Sequence, residues 1–293
     1  MHRSSLQLRS RLEFASLELP GLLIFTVGVI LPIGLDFAYS LTSWDGYQKG
    51  WPWVGLANYA KIFRDSQTLA AWWFTIRFTV LNTVVQNVLA LALALVFNGE
   101  IKGKTAYRTI MFLPCLIAPL VAGYIWLRMY SDVLPALNAL LGTRINFMLF
   151  GSGRTVLAGL LIVNQWQWAG YWMLIYLAGL QSIPIELYEA ARVDGASRVR
   201  QFFSVTVPML APAFTICIVG ITIGSLRVYD LMVSSTGGGP GRSSTSIVYH
   251  IFNTAIAGRQ YGYGSAISMS LIAVLLLIAV AQLGLLRRRE VQL

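Results

Sequence analysis

Charged residues are scarce in this chain, so those inside apolar runs are the first candidates for chemistry. Arg227 and Asp230 lie within the run Leu210 to Val233. One charge at the centre of a bilayer costs about 2.5–3.5 kcal/mol on insertion scales, which makes a charge so placed a functional-site candidate by default. Three residues apart, the two would share a helical face and partly neutralise each other. Two roles are open: an ion pair that fixes helix packing near the outer interface, or an Arg227 guanidinium that faces a cavity, where its planar donors contact what passes or gate the path. A second polar run, Asn164-Gln165-Trp166-Gln167-Trp168-Ala169-Gly170-Tyr171, combines amides with flat aromatic faces. It is costly against lipid, so part of it must face the protein interior. Either it lines a polar path through the protein, or its amides bond between helices while Trp166 and Trp168 anchor at an interface. Ser225, Gln86 and Asn87 are weaker candidates for the same lining.

Other chemistry is poorly supported. Gly99-Glu-Ile-Lys-Gly103-Lys104-Thr105 imitates a phosphate-binding loop but is one residue short between its glycines and joins two apolar runs, so it reads as a basic turn. Cys115 and Cys217 both lie in apolar runs, and His2 and His250 are far apart, so neither a disulfide framework nor a metal centre is expected. No Gly-x-Ser-x-Gly element, His-Glu-x-x-His pair or intramembrane carboxylate pair supports an intramembrane enzyme, and no catalytic residue is assigned.

The most structured polar segment is 184–208. Pro184 can open a helix, Glu186 and Glu189 suit its positive N-terminal end, and Gly195 supplies a turn before a second short helix. Ala190, Ala191 and Gly195 are small enough for another backbone to approach closely, while Glu189 and Arg192 offer directional contacts. The bland alternative is an amphipathic connector.

Composition dictates what must hold these residues. Of 293 residues, 56% are hydrophobic and 12% charged, about half the roughly 25% of a soluble domain. Runs of about 20 apolar residues cross a hydrocarbon core of about 30 Å. Six are expected: Leu19 to Leu41, Phe78 to Phe97, Thr109 to Leu127, Val156 to Leu180, Leu210 to Val233 and Ser265 to Leu286. The Arg3, Arg9 and Arg11 region ahead of the first run is like that of a signal peptide, but the run is too long and lacks a small-residue cleavage site, so an uncut span is expected. Leu69 to Arg77 reads as an interfacial lead-in to the second, and Pro114 and Pro119 should break or kink the third. None of the runs alternates like a membrane β-strand.

The net charge of +10 becomes a topology signal. With the N-terminus cytoplasmic, Arg3, Arg9, Arg11, Lys102, Lys104, Arg108, Arg192, Arg198, Arg200, Arg287, Arg288 and Arg289 fall inside. They outnumber Lys49, Lys61, Arg64, Arg144, Arg154, Arg242 and Arg259 outside, so both termini are expected in the cytoplasm. The division is a cytoplasmic segment 1–18, a membrane domain 19–286 and a basic cytoplasmic tail 287–293.

Segment 184–208 resembles the EAA loop of ABC importer permeases: Glu-Ala-Ala, three residues, Gly, nine residues, Ile, one residue, Leu-Pro. Here it reads Glu189-Ala190-Ala191, Gly195, Val205, Val207 and Pro208, departing only in the two valines. Leu177 to Pro184, Thr236 to Gly241, Arg108 to Pro114 and Gly55-Leu-Ala-Asn58-Tyr59 are similar to the carbohydrate-uptake, maltose-type subfamily, as is Arg227-Val-Tyr229-Asp230, with Tyr in place of Phe. The resemblance implies an all-α, type I ABC importer permease in the cytoplasmic membrane of a prokaryote. Its partners would be a second homologous permease, a dimer of ABC ATPases and an extracytoplasmic solute-binding protein, with lipid around it and no nucleic acid. ATP and Mg would belong to the ATPase and no cofactor or metal to this chain. Coupling would run through Glu189, Ala190, Ala191, Arg192, Asp194, Gly195 and Pro208. The candidate path for a sugar, polyol or glycerol phosphate is Gln165, Trp166, Trp168, Tyr171, Ser225, Arg227 and Asp230. An ion-coupled carrier without an ATPase is the rival, which would lead one to expect internal repeats with interrupted helices.

Overall fold

A computed structural model describes residues 18–143 and 148–287. Arg3, Arg9, Arg11, Arg144, Arg288 and Arg289 lie outside the described residues, as do nearly all of segments 1–18 and 287–293. The described chain is helical, with no strand beyond one isolated bridge between Thr42 and Trp53. In order it forms α1 (Glu18–Ser40), α2 (Ala57–Ile62), α3 (Ser66–Asn98), α4 (Lys104–Leu116), α5 (Pro119–Leu140) and α6 (Val156–Gln181). There follow α7 (Ile185–Val193), α8 (Arg198–Met209), α9 (Ala211–Leu226), α10 (Asp230–Ser235), α11 (Ile247–Ala257) and α12 (Tyr261–Leu286).

Three of these, α1, α3 and α12, are long and apolar enough to cross a membrane, and the bent pairs α4–α5 and α8–α9 raise the number to five. The expected span Val156 to Leu180 is present as α6, yet it is not among them, because Asn164, Gln165 and Gln167 dilute its apolar character. Its polar residues are compensated by burial: Gln165 and Gln167 are among its buried residues. The stretch expected as an interfacial lead-in is itself helical. Leu69 to Arg77 continues directly into α3, a 33-residue helix of about 50 Å at 1.5 Å per residue, and Arg77 lies over the Trp73 ring at 5.4 Å. Asp65 caps this helix by accepting from the Gln67 N–H at 3.0 Å.

The break expected of Pro114 and Pro119 is present, and a second stands at prolines not singled out for one. Ala118 is held extended ahead of Pro119, as a residue before proline prefers, and α4 and α5 meet at 97°. Pro208 and Pro212 flank the 67° bend between α8 and α9.

The chain forms two compact units, one of Ile251–Leu271 with the residues up to Arg64, the other of Asp65–His250 with the residues from Ile272. In the first, α1 leaves its apolar side chains exposed. Asn58 donates to the carbonyls of Ser40 (2.9 Å) and Thr42 (2.7 Å), and the Tyr59 hydroxyl meets Ser40 Oγ at 2.7 Å. The Gly55 to Tyr59 segment is thus a clasp on carbonyls that the end of a helix leaves unpaired.

In the second unit, α3, α6 and α9 form the centre. One apolar cluster joins Ala94, Tyr176, Leu210 and Cys217 near the 184–208 segment. Another joins Phe78, Tyr130, Leu160 and Met232 toward the opposite end.

Candidate functional site

Asn82 lies midway between Ser66 and Asn98 and carries a hydrogen-bonded relay. Gln165 of α6 donates to Asn82 Oδ1 at 2.7 Å, Asn82 donates to Ser225 Oγ of α9 at 2.8 Å, and Ser225 donates to the Ile221 carbonyl at 2.7 Å. All three side chains are buried. The relay ties the central helices at one level, where unpaired amides would be heavily penalised.

Beside the relay is a cavity of about 230 Å³. Asn164, Gln167, Trp168 and Trp172 line it from α6, with Gly220, Gly224, Ser225 and Arg227 on the α9 side and Tyr229 and Asp230 following. Of the residues singled out from sequence, Trp168, Ser225, Arg227 and Asp230 therefore come together. Gln165 lies behind them in the relay. Trp166 points elsewhere, edge-on to Trp126 of α5 at 5.6 Å. Tyr171, edge-on to Trp168 at 6.0 Å, lines a separate apolar groove of about 480 Å³ with Ile175, Gly179, Pro212 and Ile216.

Gln86 and Asn87 are outside the cavity lining. Gln86 is wholly buried, and Asn87 accepts from the Tyr176 hydroxyl at 2.6 Å and donates to the Thr83 carbonyl at 2.6 Å. Gln167, unassigned from sequence, donates to the Ile117 carbonyl at 2.8 Å and so serves the backbone opened by Pro119. The signal for it was present in the adjacent polar run and prolines, but only tertiary structure joins them.

The shared helical face expected of Arg227 and Asp230 is not formed. Helix α9 ends at Leu226, Arg227 is its C-cap, and Tyr229 (φ −134°, ψ −61°) breaks the chain before α10 begins at Asp230. The described residues contain no ion pair between them. Both side chains are exposed on the cavity wall, which suits two independent polar contacts better than a packing pair.

Segment 184–208 folds as a helix, a turn and a second helix. Pro184 precedes the first turn of α7, where Glu186 meets the positive end of the helix. The helix stops in a Schellman motif: Gly195 N–H donates to the Arg192 carbonyl at 3.0 Å and Ala196 N–H to the Ala191 carbonyl at 2.9 Å. Gly195 has φ +74°, and no atom of this chain lies within 4 Å of where a Cβ would stand. Ser197 caps α8 by accepting from the Arg200 N–H at 3.3 Å. The Tyr188 hydroxyl contacts Thr206 Oγ1 at 3.0 Å, and both Tyr188 and Val205 pack against the first apolar cluster. One side of α7 is thereby pinned. Glu189, Ala190, Arg192, Asp194 and Gly195 remain exposed, Ala191 and Pro208 partly so.

The Gly99 to Thr105 turn holds no phosphate-loop geometry: Lys104 and Thr105 are already in α4, with Gly103 at φ +76° as its N-cap. Arg108 donates to the Phe97 carbonyl at 2.6 Å, pinning the end of α3.

Outside the membrane-spanning segments, His250 is buried beside Thr68. Thr68 Oγ1 donates to Asp65 Oδ2 at 2.8 Å and lies 2.9 Å from His250 Nε2, which assigns the Nε2–H tautomer as the donor to Thr68. Desolvation holds the His250 pKa below 6.5, with Asp65 opposing the shift and Arg242 adding to it.

Residues 86–289 match the family described as binding-protein-dependent transport system inner membrane component. The chain is 33% identical over 276 residues to a probable starch degradation products transport system permease of Thermoanaerobacterium thermosulfurigenes, covering 94% of each chain. It is 32% identical over 276 residues to a trehalose/maltose transport system permease of Thermococcus litoralis, covering 93% of this chain and 92% of that one. Its fold matches a bacterial ABC transporter involved in the import of the acidic polysaccharide alginate, with TM-score 0.83, 24% identity and coverage of 98% and 99%. The chain belongs to the family of binding-protein-dependent transport system inner membrane components, as a sugar ABC transporter permease with the type I ABC permease fold.

Proposed function

We propose that this permease is one of two membrane subunits of an ATP-driven importer that carries a di- or oligosaccharide, or a related polyol or glycerol phosphate, into the cytoplasm. The observation that carries this assignment is the pairing of a polar, aromatic cavity beside the Asn82 relay with an exposed helix α7 at the far end of the same helices. A sugar exchanges its water hydrogen bonds for Asn164, Arg227 and Asp230, and its C–H faces lie on Trp168 and Trp172. Gln165 holds the wall in place from behind, through Asn82 and Ser225. At about 230 Å³ the cavity falls below the roughly 300–1,000 Å³ of sites that enclose a small ligand. A second, homologous permease completes it.

Helix α7 enters a groove of one ATPase of a dimer. Glu189 and Arg192 make the directional contacts, Asp194 continues that polar surface, Ala190, Ala191 and Gly195 admit close approach, and Pro208 ends the segment. ATP and Mg act in that partner. The six-span topology with both termini cytoplasmic, including α6 as a span, places α7 inside. A solute-binding protein meets the outer segments 42–70 and 234–264, and lipid covers the remaining apolar surface.

The test is uptake of a panel of radiolabelled sugars by cells with the complete importer. Glu189→Lys should abolish uptake while the protein still inserts at normal abundance. Normal uptake with that variant overturns the coupling role, and uptake that survives loss of the partner ATPase points to an ion-coupled carrier instead.

A further inference from the structure

The cavity and the apolar groove lie in sequence along one face of α6 and α9. Trp168 and Trp172 face the cavity, whereas Tyr171 and Ile175 face the groove. On α9, Gly220 faces the cavity and Ile216, one turn earlier, the groove. The groove continues to Ser182, close to the start of α7. The two linings therefore meet where Tyr171 of the groove packs against Trp172 of the cavity. There the indole lies directly on Gly220: a Cβ on this glycine would stand 2.5 Å from the Trp172 ring. Tyr171 packs edge-on against the same indole at 4.9 Å and 84°.

We propose that Trp172, seated on Gly220, is the gate between the outer polar cavity and the inner apolar groove, and that its ring must leave Gly220 for solute to pass toward the α7 end. Gly220 is required because any side chain there would hold the ring away. Tyr171 receives the displaced indole, so that the aromatic series Trp168, Trp172 and Tyr171 offers a solute successive flat faces on both sides of the gate. The proposal rests on the sugar path assigned above and deepens it by naming the residue that divides that path.

The experiment uses the complete importer in inside-out vesicles, with Cys115→Ser and Cys217→Ser as background and a charged, membrane-impermeant thiol reagent added from the cytoplasmic side. Single cysteines are introduced as Ile216→Cys in the groove and Gly224→Cys in the cavity, the latter at a position with no atom within 4 Å of its Cβ. With Trp172 in place, Ile216→Cys should be modified and Gly224→Cys protected. Trp172→Ala should raise the modification rate of Gly224→Cys at least tenfold. Gly220→Ala, which displaces the ring without deleting it, should do the same, and Trp172→Phe should keep most of the protection. Because Gly220→Ala opens the gate by a separate change, it decides the matter if Trp172→Ala fails to reach the membrane. An unchanged rate in the variants that reach the membrane overturns the gate. If the rates rise as expected but Trp168→Ala leaves uptake of every sugar intact, the gate stands and the sugar path is wrong.

Discussion

Gln167 donates its side-chain N–H to the main-chain carbonyl of Ile117 across 2.8 Å, at the junction between α4 and the proline that opens α5. A broken helix is tolerated at membrane depth only where another element serves the backbone groups it frees. Here the service comes from the same polar run that lines the cavity, so the break and the cavity wall are one construction.

Gln167→Leu should leave the Ile117 carbonyl without its partner and destabilise the protein by about 1–3 kcal/mol. Thermal unfolding of the detergent-solubilised protein measures this. An unchanged midpoint would show that the bond contributes nothing to stability.

Gly195 stands at φ +74° with open space around its α-carbon. Gly195→Asn keeps a residue type that tolerates left-handed backbone, so inserted protein should stay at normal abundance while uptake falls at least tenfold. Gly195→Asp should behave alike. Membrane immunoblots and uptake assays together test this, and full uptake in both variants would remove the close-approach role.

Because Arg227 and Asp230 belong to different helical segments, their substitutions should act independently. Arg227→Ala and Asp230→Asn should each raise the KM for uptake. The double variant should combine both losses, with a coupling energy within about 0.5 kcal/mol of zero. A large coupling would mean that the two charges pair during transport.

His250 is neutral and buried against Thr68. Its folded pKa is depressed, so the unfolded chain takes up a proton first as pH falls below 6.5. The stabilisation is complete above that value and is lost on acidification toward the folded pKa. Melting temperatures between pH 7.5 and 5 should fall, and His250→Gln should flatten the dependence.

The long apolar runs, the proline breaks and the helix-turn-helix at 184–208 were legible because each is written locally: in span length, in proline, and in Gly195 at the only left-handed position of that turn. The cavity was half legible. Trp168, Ser225, Arg227 and Asp230 announced themselves by polarity in apolar runs, but polarity does not give direction, so Gln165, which stands behind the lining, Trp166, which turns to Trp126, and Tyr171, which lines the separate groove, were all expected on it. The break at Val228 and Tyr229 was hidden because no proline or glycine marks it. Asn82 was missed because an amide in the middle of a long apolar helix shows its worth only beside Gln165 and Ser225. The expected six spans include α6, which is too polar to stand among the helices apolar enough to cross, and its Gln165 and Gln167 find partners on neighbouring elements instead.

That last property has a consequence for how the chain is made. In the proposed six-span topology, helix α6 emerges from the ribosome after α3 but before α9, with Gln165 and Gln167 needing partners that lipid lacks. Insertion should therefore be collective: α6 waits at the translocon or leans on α3 through Asn82 until Ser225 arrives. Substitutions at Asn82 should then lower the yield of inserted protein during synthesis, before any effect on the finished transporter is felt.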